Sequence, residues 1–478
     1  MKYKTPLVSV TFSVTVLVSS VAVAQQNVGD TPTQARTPDG EFISWKEHII
    51  DDPETAGFGL SGSDGLVMAD IDDDGYEDIV SVHESDSEYD SGAYDPDFVP
   101  DAAGHVRIAF GSNNPDRWEN ITLAEGSDAP APEDAAIADF NNDGFLDVVV
   151  AAELSHLIYL QNPGANIRTT QWRRLIIPMT RGTGSYIRVF AADLDGDGIP
   201  EVSAANKGAQ RPGPPDYARA TPVSVFKCDG DPLDDGSWSE IVLGRYSVPQ
   251  NSEPIDIDGD GDLDIMVGTR GEDRLILFEN ISQNGRMEFK EHAIGINRNS
   301  ASGFNMEYSD LNGDERLDII VRTRNGLSWL EQPAFIDDVW NPHFVGTFSP
   351  DSITGLEVAD INNDGHTDII SGSYSRGSRE NDGDVDKSDP LGRIGWFENP
   401  GDATQSWTRH DISRRKRGML DKFIGRDLDN DGDMDFLATR GNSAPFDGVI
   451  WLEQKRTSTP QAAFEAARSE ESDEMPLP

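Results

Sequence analysis

Acidic side chains crowd the nine residues "DIDDDGYED" that start at Asp70, and the pattern D-x-[DN]-x-D-G-x-x-[DE] returns six more times at intervals of 50 to 69 residues. The further copies are "DFNNDGFLD" from Asp139, "DLDGDGIPE" from Asp193, "DIDGDGDLD" from Asp256, "DLNGDERLD" from Asp310, "DINNDGHTD" from Asp360 and "DLDNDGDMD" from Asp427. Oxygen-bearing side chains stand at positions 1, 3, 5 and 9 of each. In chain order they are Asp70, Asp72, Asp74 and Asp78; Asp139, Asn141, Asp143 and Asp147; Asp193, Asp195, Asp197 and Glu201; Asp256, Asp258, Asp260 and Asp264; Asp310, Asn312, Asp314 and Asp318; Asp360, Asn362, Asp364 and Asp368; Asp427, Asp429, Asp431 and Asp435. With a backbone carbonyl near position 7, such a set supplies most of a calcium shell, whose oxygens lie at about 2.3–2.6 Å. Up to seven calcium ions are therefore expected. Glycine at position 6 permits the sharp turn. The fifth copy carries Glu315 there, which weakens the expectation for that loop. An EF-hand is excluded, because it needs flanking helices and a Glu at position 12.

The histidines suggest a second kind of chemistry. His48, His292, His343 and His410 share one position in a repeated segment of the "WKEHII" type, and His366 sits at position 7 of a loop. His83, His105 and His156 have no counterpart in the repeat. Glu84 lies six residues past Asp78, as Glu153 lies six past Asp147, and the same offset reaches Lys207, Arg270, Arg324 and Tyr374, with Arg440 one residue short of it. The reading is a catalytic group of His83, Glu84, His105, Glu153 and His156 opposite a ligand-binding group of Lys207, Arg270, Arg324, Tyr374 and Arg440. Imidazole with carboxylate suits acid–base work, or one zinc or similar ion.

These residues need a scaffold, and the repeat defines one. Each acid-rich loop is flanked by short apolar runs such as "DIVSVH" and "DVVVAA". Two more segments share the period. One is of the "IGWFENPG" type and the other of the "WKEHII" type, giving four strands per unit, a to d. Four-stranded units repeated seven times predict an all-β, seven-bladed β-propeller of antiparallel blades. The first unit begins with a d strand at Phe42 and the last ends with a c strand at Leu452. The N-terminal strand should therefore complete blade seven and close the ring. All nine tryptophans fall in c or d strands, a register that assigns them to packing between blades. Because the loops join a to b, the ends of the b strands lie on the opposite face, and the three odd histidines belong there.

The loop and strand motifs resemble those of FG-GAP or VCBS repeat proteins, and the loops resemble the calcium loops of integrin α-subunit propellers. The resemblance spans residues 41–455 and implies the same seven-bladed fold. "VHESDSEYDSG", "GHVRIAFG" and "AELSHLIYLQNPG" are similar to the propeller part of fungal aldos-2-ulose and anhydrofructose dehydratases, and the architecture resembles that of propeller ulvan lyases. This implies a carbon–oxygen lyase acting on a sugar or uronic polysaccharide. A non-catalytic module for anionic carbohydrate and an adhesion propeller are the alternatives.

Composition bounds the rest. The 478 residues carry 86 acidic and 39 basic side chains, a net charge of -47, and a single cysteine, Cys228. A basic footprint for nucleic acid is absent, and a lone cysteine provides no disulfide. Lys2 and Lys4 precede an apolar run from Pro6 to Val23 and then "AVAQQ", the order of a secretory signal cut after Ala24. The organisation expected is a signal peptide over 1–24, a disordered linker over 25–40, the propeller over 41–455 and a disordered acidic tail over 456–478. A monomer, secreted or periplasmic, without a membrane span in the mature chain and with carbohydrate as partner, is the overall expectation.

Overall fold

The apolar runs on either side of each acid-rich loop pair across it as hairpins in the computed structural model, which describes residues 1, 25–85, 90, 103–283, 286–441 and 443–478. Apart from Met1, the expected signal peptide lies outside the described residues. Blade one consists of strand a (Ser63–Ala69), b (Asp78–His83), c (Gly104–Phe110) and d (Glu119–Gly126), paired antiparallel in that order. Five more blades repeat this arrangement, and each a strand packs against its neighbours around the whole ring, blade seven against blade one included. This is the expected all-β seven-bladed propeller, with the a strands lining the central channel.

Blade seven takes its fourth strand from the other end of the chain. Phe42–Asp51 runs antiparallel to Val449–Thr457, with Trp45 opposite Gln454 and His48 opposite Trp451. The ring thus closes through backbone hydrogen bonds, at the phase the repeat implied.

The flanks depart from expectation. Phe464–Glu465 adds a fifth strand, parallel to Trp45–Lys46. Backbone hydrogen bonds join Thr33 to Gln461 (2.8 Å), Ala463 to Thr31 (2.9 Å) and Met475 to Arg414 (2.7 Å). Residues 25–40 and 456–478, read as disordered from their polar composition, are packed against blades six and seven. Two causes outweigh composition. Ala35, Ala463 and Phe464 are buried, and the tail's acids meet basic partners, Glu471 with Arg440 and Asp473 with Lys416.

The repeat residues hold blades together. Trp45, Trp329, Trp340, Trp396 and Trp451 are fully buried. The four d-strand histidines each bond a c-strand glutamate, as His48 does Glu453 (2.9 Å) and His410 does Glu398 (2.7 Å), and His343 stacks on Trp329. The amide that ends the "FEN" segment reaches into the preceding blade's loop: Asn280 Nδ2 donates to the Leu194 carbonyl (2.9 Å) and Gln454 Nε2 to that of Ile361 (3.0 Å). Among the described residues no helix is long and apolar enough to cross a membrane.

Candidate functional site

On one face, all the acid-rich loops bond the sixth residue's N–H to the first acid and the seventh residue's N–H to the fifth, and the first loop adds a third bond. Asp70 accepts from the backbone N–H of Asp74 (3.1 Å) and of Gly75 (3.0 Å), and Asp74 from that of Tyr76 (3.0 Å). Three carboxylates offer oxygens within 4.8 Å of one another in four loops: Asp70, Asp72 and Asp78; Asp193, Asp195 and Asp197; Asp256, Asp258 and Asp260; Asp427, Asp429 and Asp435. This donor chemistry fits a hard cation. The ninth-position acid has a structural task as well. Asp78 accepts from Ile71 N and Gly111 N, both at 2.9 Å, tying loop to c strand. Burial pushes its carboxyl up to about 7. Basic side chains enter four loops: Arg168 pairs with Asp72, Lys227 with Asp195, Arg316 with Asp314 and Arg456 with Asp433. Glu315 keeps the turn of the fifth loop at φ +68°, and its N–H bonds Asp310 (2.8 Å) as the glycines do elsewhere.

The opposite face is where the repeat breaks. The register inferred from sequence holds along the ends of the b strands. Glu84 N bonds Gly62 O (2.9 Å), Glu153 N bonds Ala131 O (2.8 Å), Lys207 N bonds Ser185 O (2.7 Å) and Arg270 N bonds Val248 O (2.9 Å), each acceptor lying eight residues before its loop. Just beyond, the a strands bulge, as between Ser63 and Leu66. Bulges re-aim side chains. The residue six before each loop is, by blade, Asp64, Glu133, Ile187, Gln250, Phe304, Thr354 and Asp421. The neutral members Ile187, Gln250, Phe304 and Thr354 line a cavity of about 470 Å³ together with Arg270. The acidic members come from blades seven, one and two, which are consecutive around the ring.

On that acidic side, Asp64, Glu84 and Glu133 offer oxygens within 4.8 Å of one another and are all buried. Arg379 pairs with Glu84, and Lys207 with Glu153. Burial, then neighbouring acids, push the Asp64 and Glu133 carboxyls well above the usual range. Burial also lowers the Lys207 ammonium from its ordinary value. Gly62, at φ +68°, lets Glu84 and Arg379 approach, since a Cβ there would lie 2.5 Å from the guanidinium. Arg188 of blade three bonds Asn305 of blade five (2.9 Å), whose amide donates to the Asp421 carbonyl (3.2 Å). These two form a polar crossing of the channel beneath the mouth.

The sequence-derived site divides accordingly. His83 and His105 are direct cross-strand partners, as expected, yet neither presents a free ring. His83 is fully buried with Nδ1 bonded to Ser63 Oγ (2.6 Å) and Nε2 to Ser81 Oγ (3.0 Å), and burial holds it well below its ordinary pKa. His105 bonds Ser85 and stacks on Phe58; His156 bonds Ser155. Among the described residues no histidine enters a group of three clustered ligand atoms. Glu84, Glu153, Lys207 and Arg270 gather at the mouth. Tyr374 bridges to Met419, and Arg324 is exposed and paired with Asp273 (2.8 Å). Arg440 is buried against Glu471 of the tail. Sequence reasoning missed Asp64 and Glu133. Their signal was the position six before the loop, acidic in three consecutive blades only.

The family described as FG-GAP-like repeat matches residues 139–203, 256–321 and 310–371. No curated protein sequence matches the chain. Similar solved structures include an Agrocybe aegerita lectin that recognises non-reducing terminal N-acetylglucosamine, at 15% identity over 75% of this chain and 91% of that one, with a TM-score of 0.39. BBS1N in complex with ARL6DN is 10% identical over 87% of this chain and 98% of that one, at 0.45. The Bacillus licheniformis rhamnogalacturonan lyase PL11 is 12% identical over 94% and 77%, at 0.42. At such scores none of them bears on what this chain does.

Proposed function

From the premise that this chain is a seven-bladed β-propeller of FG-GAP-like repeats, we propose that it is an exported protein, stabilised by calcium in its acid-rich loops, that acts on an acidic carbohydrate at the channel mouth opposite them. The observation that carries the reading is the mouth itself. A cavity of about 470 Å³, inside the range of roughly 300–1,000 Å³ usual for small ligands, has Phe304 and Arg270 in its wall, and buried titratable groups line the neighbouring blades. An aromatic face suits the apolar face of a sugar ring, and a guanidinium suits its carboxylate or sulfate. The reaction is elimination across a carbon–oxygen bond beside an acidified carbon. Arg270 neutralises the acid group, Glu153 takes the proton from the acidified carbon as the carbon–oxygen bond breaks, and Lys207 gives a proton to the departing oxygen.

Non-catalytic binding is the second reading, favoured by the ion pair that occupies Lys207. One experiment separates them: incubate the protein with a panel of uronic, sulfated and oxidised sugars and follow ultraviolet absorbance of a new conjugated double bond. Absorbance that disappears in Lys207→Met supports the enzyme. Binding without absorbance supports the module, and neither signal overturns both.

A further inference from the structure

Buried acids are concentrated at the mouth. Asp64, Glu84, Glu133, Glu153 and Asp421 are all buried there, against Lys207, Arg379 and Arg188. Arg379 takes Glu84 and Lys207 takes Glu153, which leaves Asp64 and Glu133 outside any ion pair among the described residues. Among the described residues, Asp64 Oδ2 is buried with no hydrogen-bond partner, and so is Oδ1 of Asp421, whose charge bears on both Asp64 and Glu133. A buried carboxylate oxygen without a partner carries the full cost of its lost hydration. The unpartnered oxygen of Asp64 sits within the cluster it forms with Glu84 and Glu133, which marks a place for a positive group.

Oxygens bound to one hard cation at about 2.0–2.6 Å lie at most about 5 Å apart. The three carboxylates, with oxygens within 4.8 Å of one another, meet this condition. We infer that Asp64, Glu84 and Glu133 hold one divalent cation of the calcium, magnesium or manganese type, separate from the loop ions. The all-oxygen donor set selects a hard ion over zinc. The ion's use, to hold an acidic sugar beside Arg270, rests on the function proposed above; the site itself rests only on the carboxylates.

The test strips the full chain with chelator, dialyses it against manganese and removes free metal by gel filtration. Metal per chain is then measured, and an anomalous map is taken from manganese-soaked crystals. The expected result is one ion fewer per chain in Asp64→Asn/Glu133→Gln than in the parent, with an anomalous peak among the three carboxylates. Equal counts with no peak there overturn the inference. Should the double variant fail to fold, the peak in the parent decides alone. A peak without any sugar elimination or binding would keep the ion and reject the proposed function.

Discussion

Replacing Glu47 by Gln removes one negative charge from the place where the ring closes. Glu47 lies on the N-terminal strand, 1% exposed, and both its oxygens accept from the Arg415 guanidinium at 2.8 Å. The tail's Ala467 N–H adds a third bond at 3.1 Å. Against the cost of burial, Arg415 and then Arg440 hold the carboxyl down from 4.5 to about 2. That difference corresponds to about 3 kcal/mol of folding stability. Breaking a buried ion pair by removing one partner independently suggests about 3–5 kcal/mol, and the two figures agree. Because the folded pKa is depressed, the contribution is complete above pH 4.5 and fades as pH falls towards 2. Denaturant unfolding of parent and Glu47→Gln across that range should show a gap of about 3 kcal/mol at pH 7 that narrows steadily in acid. Acids common to both proteins cancel in the difference. A gap that stays constant with pH, or one below about 1 kcal/mol at pH 7, would refute the charge argument.

Truncation after Thr457 should lower the melting temperature and promote aggregation, because it uncovers the edge of Phe42–Asp51 and leaves buried Arg440 without Glu471; an unchanged melt would show that the tail packs without stabilising. Glu315→Gly should raise stability in chelator by about 1 kcal/mol, by relieving a left-handed backbone at φ +68°, and a denaturation midpoint that falls would contradict this. Chelation should lower the melting temperature of the parent markedly, since each site held at 100 times its Kd contributes about 2.7 kcal/mol. Melting that ignores chelator would remove calcium from the account.

The ring was readable because a repeat multiplies weak signals. One acidic turn says little, while seven in register set strand order, loop face and the phase by which Phe42–Asp51 enters blade seven. Register also brought Glu84, Glu153, Lys207 and Arg270 to one rim. It also paired His83 with His105 across blade one, but it did not show that each imidazole is held by a neighbouring hydroxyl. Ser63 has no counterpart in the repeat, and Ser81 matches only Ser371. Asp64 and Glu133 were hidden for a different reason. The alternation of a regular strand does not indicate that a bulge turns the residue after Ser63 into the channel mouth. The tail was misread from composition, which counts charges but cannot see that Glu471 and Asp473 have basic partners on blades seven and six.

Titration of the protein with uronate-containing and sulfated oligosaccharides, followed by calorimetry with variants on each face, tests the central claim most directly. If the channel mouth is the working surface, Phe304→Ala and Arg270→Ala weaken binding at least tenfold, while Asp260→Asn on the loop face leaves it unchanged in saturating calcium. Binding that survives both mouth substitutions and is lost with Asp260→Asn would place the function on the loop face and contradict the account.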